Sequence, residues 1–179
     1  MDVTVEQVAP VETYELRQKV LRPHQTVAEM GFEKVDKPTT GCYAVRDTDT
    51  GEIVSTASAQ PEIPPWDPAA PLHAERAAHL PADIPQAAIA AAGPDNEYAW
   101  RLRAMATAEH VRSQGLGELV LDAVVEHVVR SGGRLLWCNA RIRAVPFYER
   151  AGFATLGEFW DEPMVGPHIV MWRVVEGRS

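Results

Sequence analysis

The chain has 179 residues, 46% of them apolar, and sets 17 Lys and Arg against 25 Asp and Glu for a formal charge of -8. That length suits one domain with a sizeable core, and the composition is ordinary for a globular protein. No apolar run approaches the roughly 20 residues that span a bilayer, no basic face stands out for nucleic acid, and Met1–Glu6 lacks the basic start and apolar core of a secretory leader. The expectation is a cytoplasmic protein with neither a membrane nor a nucleic-acid partner.

Val3, Val5 and Val8 predict a first strand, which Pro10 ends. A helix is expected over Val11–Leu21, with Val11, Tyr14, Leu16, Val20 and Leu21 inward and Glu12, Glu15, Arg17 and Lys19 outward; Pro23 stops it. Gln25–Met30 reads as a second short helical piece. Gly41–Arg46 and Ile53–Ala59 read as the arms of a hairpin around the turn-rich Asp47–Gly51. Pro61–Glu97 then carries eight of the 14 prolines and much alanine. A segment of that length inside a compact domain is usually a functional lid or disordered. Short helices are expected at Leu72–Leu80 and Gln86–Ala92. The segment would either reach a substrate or simply cover the sheet edge.

Tyr98–Thr107 reads as a strand and Gly115 to about Ser131 as a helix. Between them stands Arg112-Ser113-Gln114-Gly115-Leu116-Gly117. A glycine-rich turn at a helix start exposes unpaired N–H groups beside the positive end of the helix dipole, a seat for phosphate. A plain tight turn would show the same residues. A Walker loop would need Lys and Ser/Thr after the last glycine, where Glu118 and Leu119 stand. A dinucleotide fingerprint would need a third small residue where Val120 stands. In the helix, Glu118, Asp122, Glu126 and Arg130 recur every four residues on one face. Leu116, Leu119, Val120, Ala123, Val124 and Val128 should pack on the sheet. His127 reads as a surface or boundary residue.

Arg134–Asn139 is a further short apolar strand, followed by Ala140–Arg143 as a polar turn. Pro146 suits a helix's first turn and Gly152 its stop, so Ala144–Ala151 should be a short helix carrying Phe147 and Tyr148. Ala154–Trp160 and His168–Val175 close the chain as strands. Mixed strands and helices argue for an α/β or α+β domain built on one central sheet. Cys42 and Cys138 each fall in a predicted strand and read as buried thiols rather than a disulfide framework. The six histidines are scattered, no metal-ligand spacing occurs, and no metal is expected.

Arg112-x-x-Gly115-x-Gly117 between strand and helix, followed by strand, Asn139-Ala140-Arg141, a short helix with Phe147-Tyr148, and Gly152-Phe153, resembles the GNAT N-acetyltransferase superfamily. The resemblance is clearest over Tyr98–Phe153. It implies a single GNAT-like domain over residues 1–179, a central mixed twisted sheet flanked by helices, and the 61–97 segment as an insertion. It further implies acetyl-coenzyme A as acyl donor, lying in an opening between splayed parallel strands at 98–107 and 134–139. The backbone of Met105, Ala106 and Thr107 would pair with the pantetheine amides. The N–H groups of Gln114, Gly115, Leu116 and Gly117 would hold the pyrophosphate, with Ser113 in the same loop and Arg112 adding charge or packing it in place. Asn139 and Phe147 would border the cofactor arm.

The implied reaction is attack of a neutral amine on the thioester, with a backbone N–H near Met105 facing the oxyanion and Tyr148 protonating the departing thiolate. Candidate bases for the amine are Glu97, Glu158, Asp161 and His168, and none is singled out. The acceptor would be a small-molecule amine or a protein amine, which a negatively charged chain would attract. The assembly is open, a homodimer included. The rival expectation is a non-catalytic acyl-coenzyme A sensor or partner-binding domain on the same fold.

Overall fold

The computed structural model describes residues 1–30 and 39–176. Among these residues the strands are β1 Val3–Gln7, β2 Gly41–Asp47, β3 Ile53–Pro61, β4 Ala99–Thr107, β5 Leu135–Arg141, β6 Ala154–Glu162 and β7 Gly166–Val174. The helices are α1 Tyr14–Leu21, α2 Val27–Met30, α3 His73–Arg76, α4 Gln86–Ala92, α5 Leu116–Arg130 and α6 Val145–Arg150. The strands form one mixed sheet in the order β1-β2-β3-β4-β5-β7-β6, with β4–β5 parallel and β1–β2, β2–β3, β5–β7 and β6–β7 antiparallel. The chain condenses into two compact units, Met1–Gln60 with Leu102–His127 and Pro61–Arg101 with Val128–Ser179.

In the first unit, β3 is buried along most of its length, and its Thr56 Oγ1 donates to the Tyr43 carbonyl at 2.9 Å. The expected first helix opens instead as a 3-10 turn, Pro10–Thr13, before α1. Three residues per turn rather than 3.6 shift the phase of every later position. Val11 therefore faces solvent, whereas Arg17 is buried, with its Nη2 3.5 Å from the Cys42 sulfur. This reverses the expected orientation of both residues.

Helix α5 buries Leu116, Val120, Leu121, Val124 and Val128. Each four-residue step advances about 40° around the helix, so the stripe drifts toward Leu121 and away from Leu119. Leu119 is accordingly exposed, against expectation. The helix stops at left-handed Gly132: its N–H donates to the Val129 carbonyl at 3.1 Å and that of Gly133 to Val128 at 2.8 Å, a glycine stop that satisfies two terminal carbonyls.

In the second unit, Ala140 and Arg141 belong to β5, not to the expected polar turn, because Ile169 and His168 of β7 pair with them. Cross-strand partners here override local turn chemistry. The 61–97 insertion forms α3 with a following 3-10 turn, Ala77–His79, and α4, at the expected places. Ala88, Ala91 and Ala92 of α4 pack on Ala99, Leu135 and Trp137, with Trp66, Leu72, Ile84, Trp172 and Val174 around them. Alanine brings the helix backbone close to the sheet. Leu156, Trp160 and Val170 form a second cluster, also packed by Trp66, Ile84 and Trp172. At Gly157 of β6, φ is +78°, and a Cβ there would collide with the His79 carbonyl oxygen. The insertion is thus a packed cover over one sheet face that reaches β6, the strand at the end of the sheet.

Candidate functional site

The predicted site residues fall in both units. In the first unit, β4 carries Met105, Ala106 and Thr107. Ser55 Oγ on β3 donates to the Ala106 carbonyl at 3.3 Å and lies 2.8 Å from Thr107 Oγ1, while Ser58 Oγ donates to Arg103 at 3.5 Å. Ala104, inside the strand, has φ of +54°. A left-handed non-glycine residue costs about 1–3 kcal/mol and needs surroundings that enforce it. It interrupts the regular pleat immediately before Met105. An alanine in an apolar strand gives no sign of this, and the sequence did not reveal it.

After β4, a 3-10 turn, Glu109–Val111, seats Val111 in the core and leaves Arg112 to Gly115 exposed. Ser113 and Gly115 are both left-handed, at +63° and +78°. Left-handed residues in a loop let successive backbone N–H groups share one concavity. The Gly115 carbonyl accepts the first helical hydrogen bond, from Leu119 at 3.2 Å, so the N–H groups of Leu116, Gly117 and Glu118 start α5 without intrahelical acceptors. Space around a Cβ at Gly115 is open to 4 Å. The Arg112 Nε donates to the Thr107 carbonyl at 3.4 Å, which ties the loop to the end of β4.

In the second unit, Asn139 lies on β5, and its Oδ1 is buried without a hydrogen-bond partner. Three parallel pairs join β4 to β5: Ala99 with Leu135, Trp100 with Leu136, and Arg101 with Trp137. Helix α6 has Pro146 in its first turn and ends at left-handed Gly152. The Gly152 N–H reaches Glu149 at 3.0 Å and the Phe153 N–H reaches the Tyr148 carbonyl at 2.9 Å. Phe153 then packs back on Tyr148, the apolar contact that accompanies such a stop. Both Phe147 and Phe153 meet the Tyr148 ring edge-on, each with centroids 5.3 Å away. Tyr148 is buried. Burial pushes its phenol well above the usual value, the neighbouring Cys138 thiol adds to this, and Arg141 pulls the other way. Cys138 is itself pushed up to about 12 by burial, with Arg101 pulling back. Both cysteines are free and buried.

Of the candidate bases, Glu97 is exposed and accepts from the Asp95 N–H at 2.9 Å, Glu158 and Asp161 are exposed, and His168 is buried. His168 Nδ1 lies 2.8 Å from the Gly166 carbonyl, and its ring stacks on Trp160 at 5.9 Å. Trp160 also carries the Arg76 guanidinium at 4.0 Å on its ring, and Arg76 and the Trp160 indole both donate to Glu162 Oε1, at 2.6 and 2.8 Å. Nothing in the spacing of residues 76, 160, 162 and 168 announces this cluster. Among the described residues no helix is long and apolar enough to cross a membrane.

A strand, an exposed glycine-rich loop that opens a helix, and a mixed sheet in which β4 and β5 run parallel define a class, and the family model for the acetyltransferase (GNAT) domain matches residues 72–162, just over half the chain. The protein belongs to the GNAT acetyltransferase family. It is similar to the uncharacterized N-acetyltransferase YitI of Bacillus subtilis (strain 168), with 29% identity over 171 residues, covering 96% of this chain and 95% of that one. The fold is shared with the ribosomal-protein-S18-alanine N-acetyltransferase of Escherichia coli, at TM-score 0.63 and 13% identity over 99% of this chain and 97% of that one. It is shared also with a phosphinothricin acetyltransferase of Sinorhizobium meliloti solved with acetyl-coenzyme A, at TM-score 0.64 and 13% identity over 98% and 90%.

Proposed function

We propose that residues 1–179 act as one GNAT-like domain that transfers the acetyl group of acetyl-coenzyme A to an amine. The exposed, left-handed glycine loop at the start of α5 carries this reading. Its unpaired N–H groups from Gln114 to Gly117 suit a pyrophosphate, which needs donors and the positive helix end more than side chains. Arg112, bound to the Thr107 carbonyl, holds the loop beside Ser113. The backbone of Met105, Ala106 and Thr107 would pair with the pantetheine amides. The partnerless Asn139 Oδ1 is what a residue awaiting an N–H of that arm would present, and Phe147 borders it.

In the reaction, the amine nitrogen bonds to the thioester carbonyl carbon and the C–S pair leaves on sulfur. Tyr148 gives its proton to that sulfur and regains one from the amine through solvent. The role of Tyr148 rests on the family pattern. Its burial bears on the rival reading too: a phenol held above its usual pKa stays protonated but is a weaker acid, which suits a domain that binds the thioester without cleaving it.

Two measurements separate the readings. Calorimetric titration with acetyl-coenzyme A should show binding that weakens at least about tenfold in Gly117→Val, whose β-branched side chain crowds the first-turn N–H groups. Unchanged affinity in that variant would remove the loop from the site. Thiol release with a panel of amines should then exceed release without amine; equal rates would favour the non-catalytic sensor.

A further inference from the structure

The second unit holds two buried N–H donors in one row of the sheet, Arg101 Nε and Trp172 Nε1, and neither has a hydrogen-bond partner. Arg101 pairs with Trp137 across β4 and β5, and Trp137 with Trp172 across β5 and β7. Directly paired residues share a sheet face, so the three side chains stand side by side, with the outer two strands about 10 Å apart. The middle one is satisfied, since Trp137 Nε1 donates to the Glu62 carbonyl at 3.0 Å. Arg101 Nη1 donates to Glu62 Oε2 at 3.0 Å, and its guanidinium lies 5.1 Å from the Trp137 ring centre. Asn139, with its own partnerless oxygen, stands one row further along β5 on the same face.

A buried donor without an acceptor costs free energy that a fold ordinarily removes, and two in one row beside a proposed site residue call for a ligand that supplies oxygens. Charge narrows the class. Arg101 is already matched by Glu62, so the row offers N–H groups without a net positive charge to offset a buried carboxylate. Resting on the acetyl-transfer reading above, we infer that the acceptor is a peptide-like amine, one whose α-carbon carries a neutral amide carbonyl, and that Trp172 and Arg101 select it by donating to its carbonyl oxygens. An amino-acid amide and the N-terminus of a protein share this chemistry.

The test compares glycinamide with propylamine, which is similar in size but has no carbonyl, after calorimetry has established acetyl-coenzyme A binding. Wild type should favour glycinamide by about tenfold or more in kcat/KM. Trp172→Phe removes the N–H and keeps an aromatic ring. It should erase most of that preference while leaving the propylamine rate and acetyl-coenzyme A affinity unchanged. Its melting temperature should fall only by the packing that the smaller ring forfeits against the two clusters Trp172 touches, because the lost donor had no acceptor to give up. Arg101→Lys keeps a cation for Glu62 but has no Nε–H; it should show its selective loss with triglycine amide, whose further carbonyls can reach a second donor, because the single carbonyl of glycinamide cannot meet donors on strands about 10 Å apart. Triglycine amide used better than glycinamide assigns a protein N-terminus, and the reverse order assigns a small molecule. Equal use of propylamine and glycinamide by wild type, use of neither, or a Trp172→Phe variant with unchanged selectivity would overturn the inference. Wild type that does not bind acetyl-coenzyme A would instead bring down the proposed function, and this inference with it.

Discussion

Tyr148 is held between two phenylalanine rings because helix α6 stops where it does. Gly152 turns left-handed, Phe153 folds back, and the phenol is left buried beside Cys138. A raised pKa means the protonated form persists throughout the neutral range, so the resting residue carries a proton and is not a base. Under the proposed acetyl transfer, in which the family pattern and not the raised pKa gives Tyr148 its role, Tyr148→Phe should lower turnover about 100-fold or more, as loss of a general acid does, with acetyl-coenzyme A affinity unchanged by calorimetry. The wild-type rate should show no decline from phenol ionisation below about pH 10; unchanged turnover in the variant would leave the ring a packing residue only. The Phe-Tyr pair, the proline and the glycine were all legible in the sequence. Which of the two aromatic rings would be buried was not, because one helical position differs from the next only in what lies across from it.

The insertion shows the same division for whole elements. Its proline-rich composition marked it as unusual, and its two helical stretches fell where alanine and leucine placed them. That it would be a packed cover depended on partners far away in sequence: Leu135 and Trp137 on β5, Trp172 and Val174 on β7. Gly157 fixes one end of the cover, since the His79 carbonyl oxygen occupies the space a side chain would need. Gly157→Ala should lower the melting temperature and open residues 61–97 to limited proteolysis. Two costs combine there, a positive φ that alanine resists and a backbone clash that no rotamer relieves. Equal protease resistance in variant and wild type would show that the contact is not needed to hold the insertion. Helix α5 and the first helix carry the complementary lesson: both were found from periodicity, yet Leu119, Val11 and Arg17 were placed on the wrong side. A 3-10 entry or a drift of the apolar stripe changes the phase without changing the existence of the helix.

At the scale of the molecule, acid should weaken the protein partly through Glu162. Burial alone would push its carboxyl up, but the Trp160 indole and Arg76 together hold it below the usual value of 4.5. A depressed carboxyl contributes stability that is complete above the unfolded pKa and lost as pH falls through the folded one. The melting-temperature gap between wild type and Glu162→Gln should be full at about pH 6 and close below about pH 4. A gap independent of pH would mean that the charge is not what Glu162 contributes. From the chain alone came the order of strands and helices, the glycine loop, the short aromatic helix and the family, because these depend on near neighbours: alternation, helical spacing, and the backbone freedom of glycine and proline. Tertiary structure alone decided the left-handed Ala104, the burial of Tyr148, the Arg76–Trp160–Glu162 cluster and the row Arg101–Trp137–Trp172. Each of these is set by a register between distant strands or by an atom from another element filling the same space, and local spacing carries no record of either.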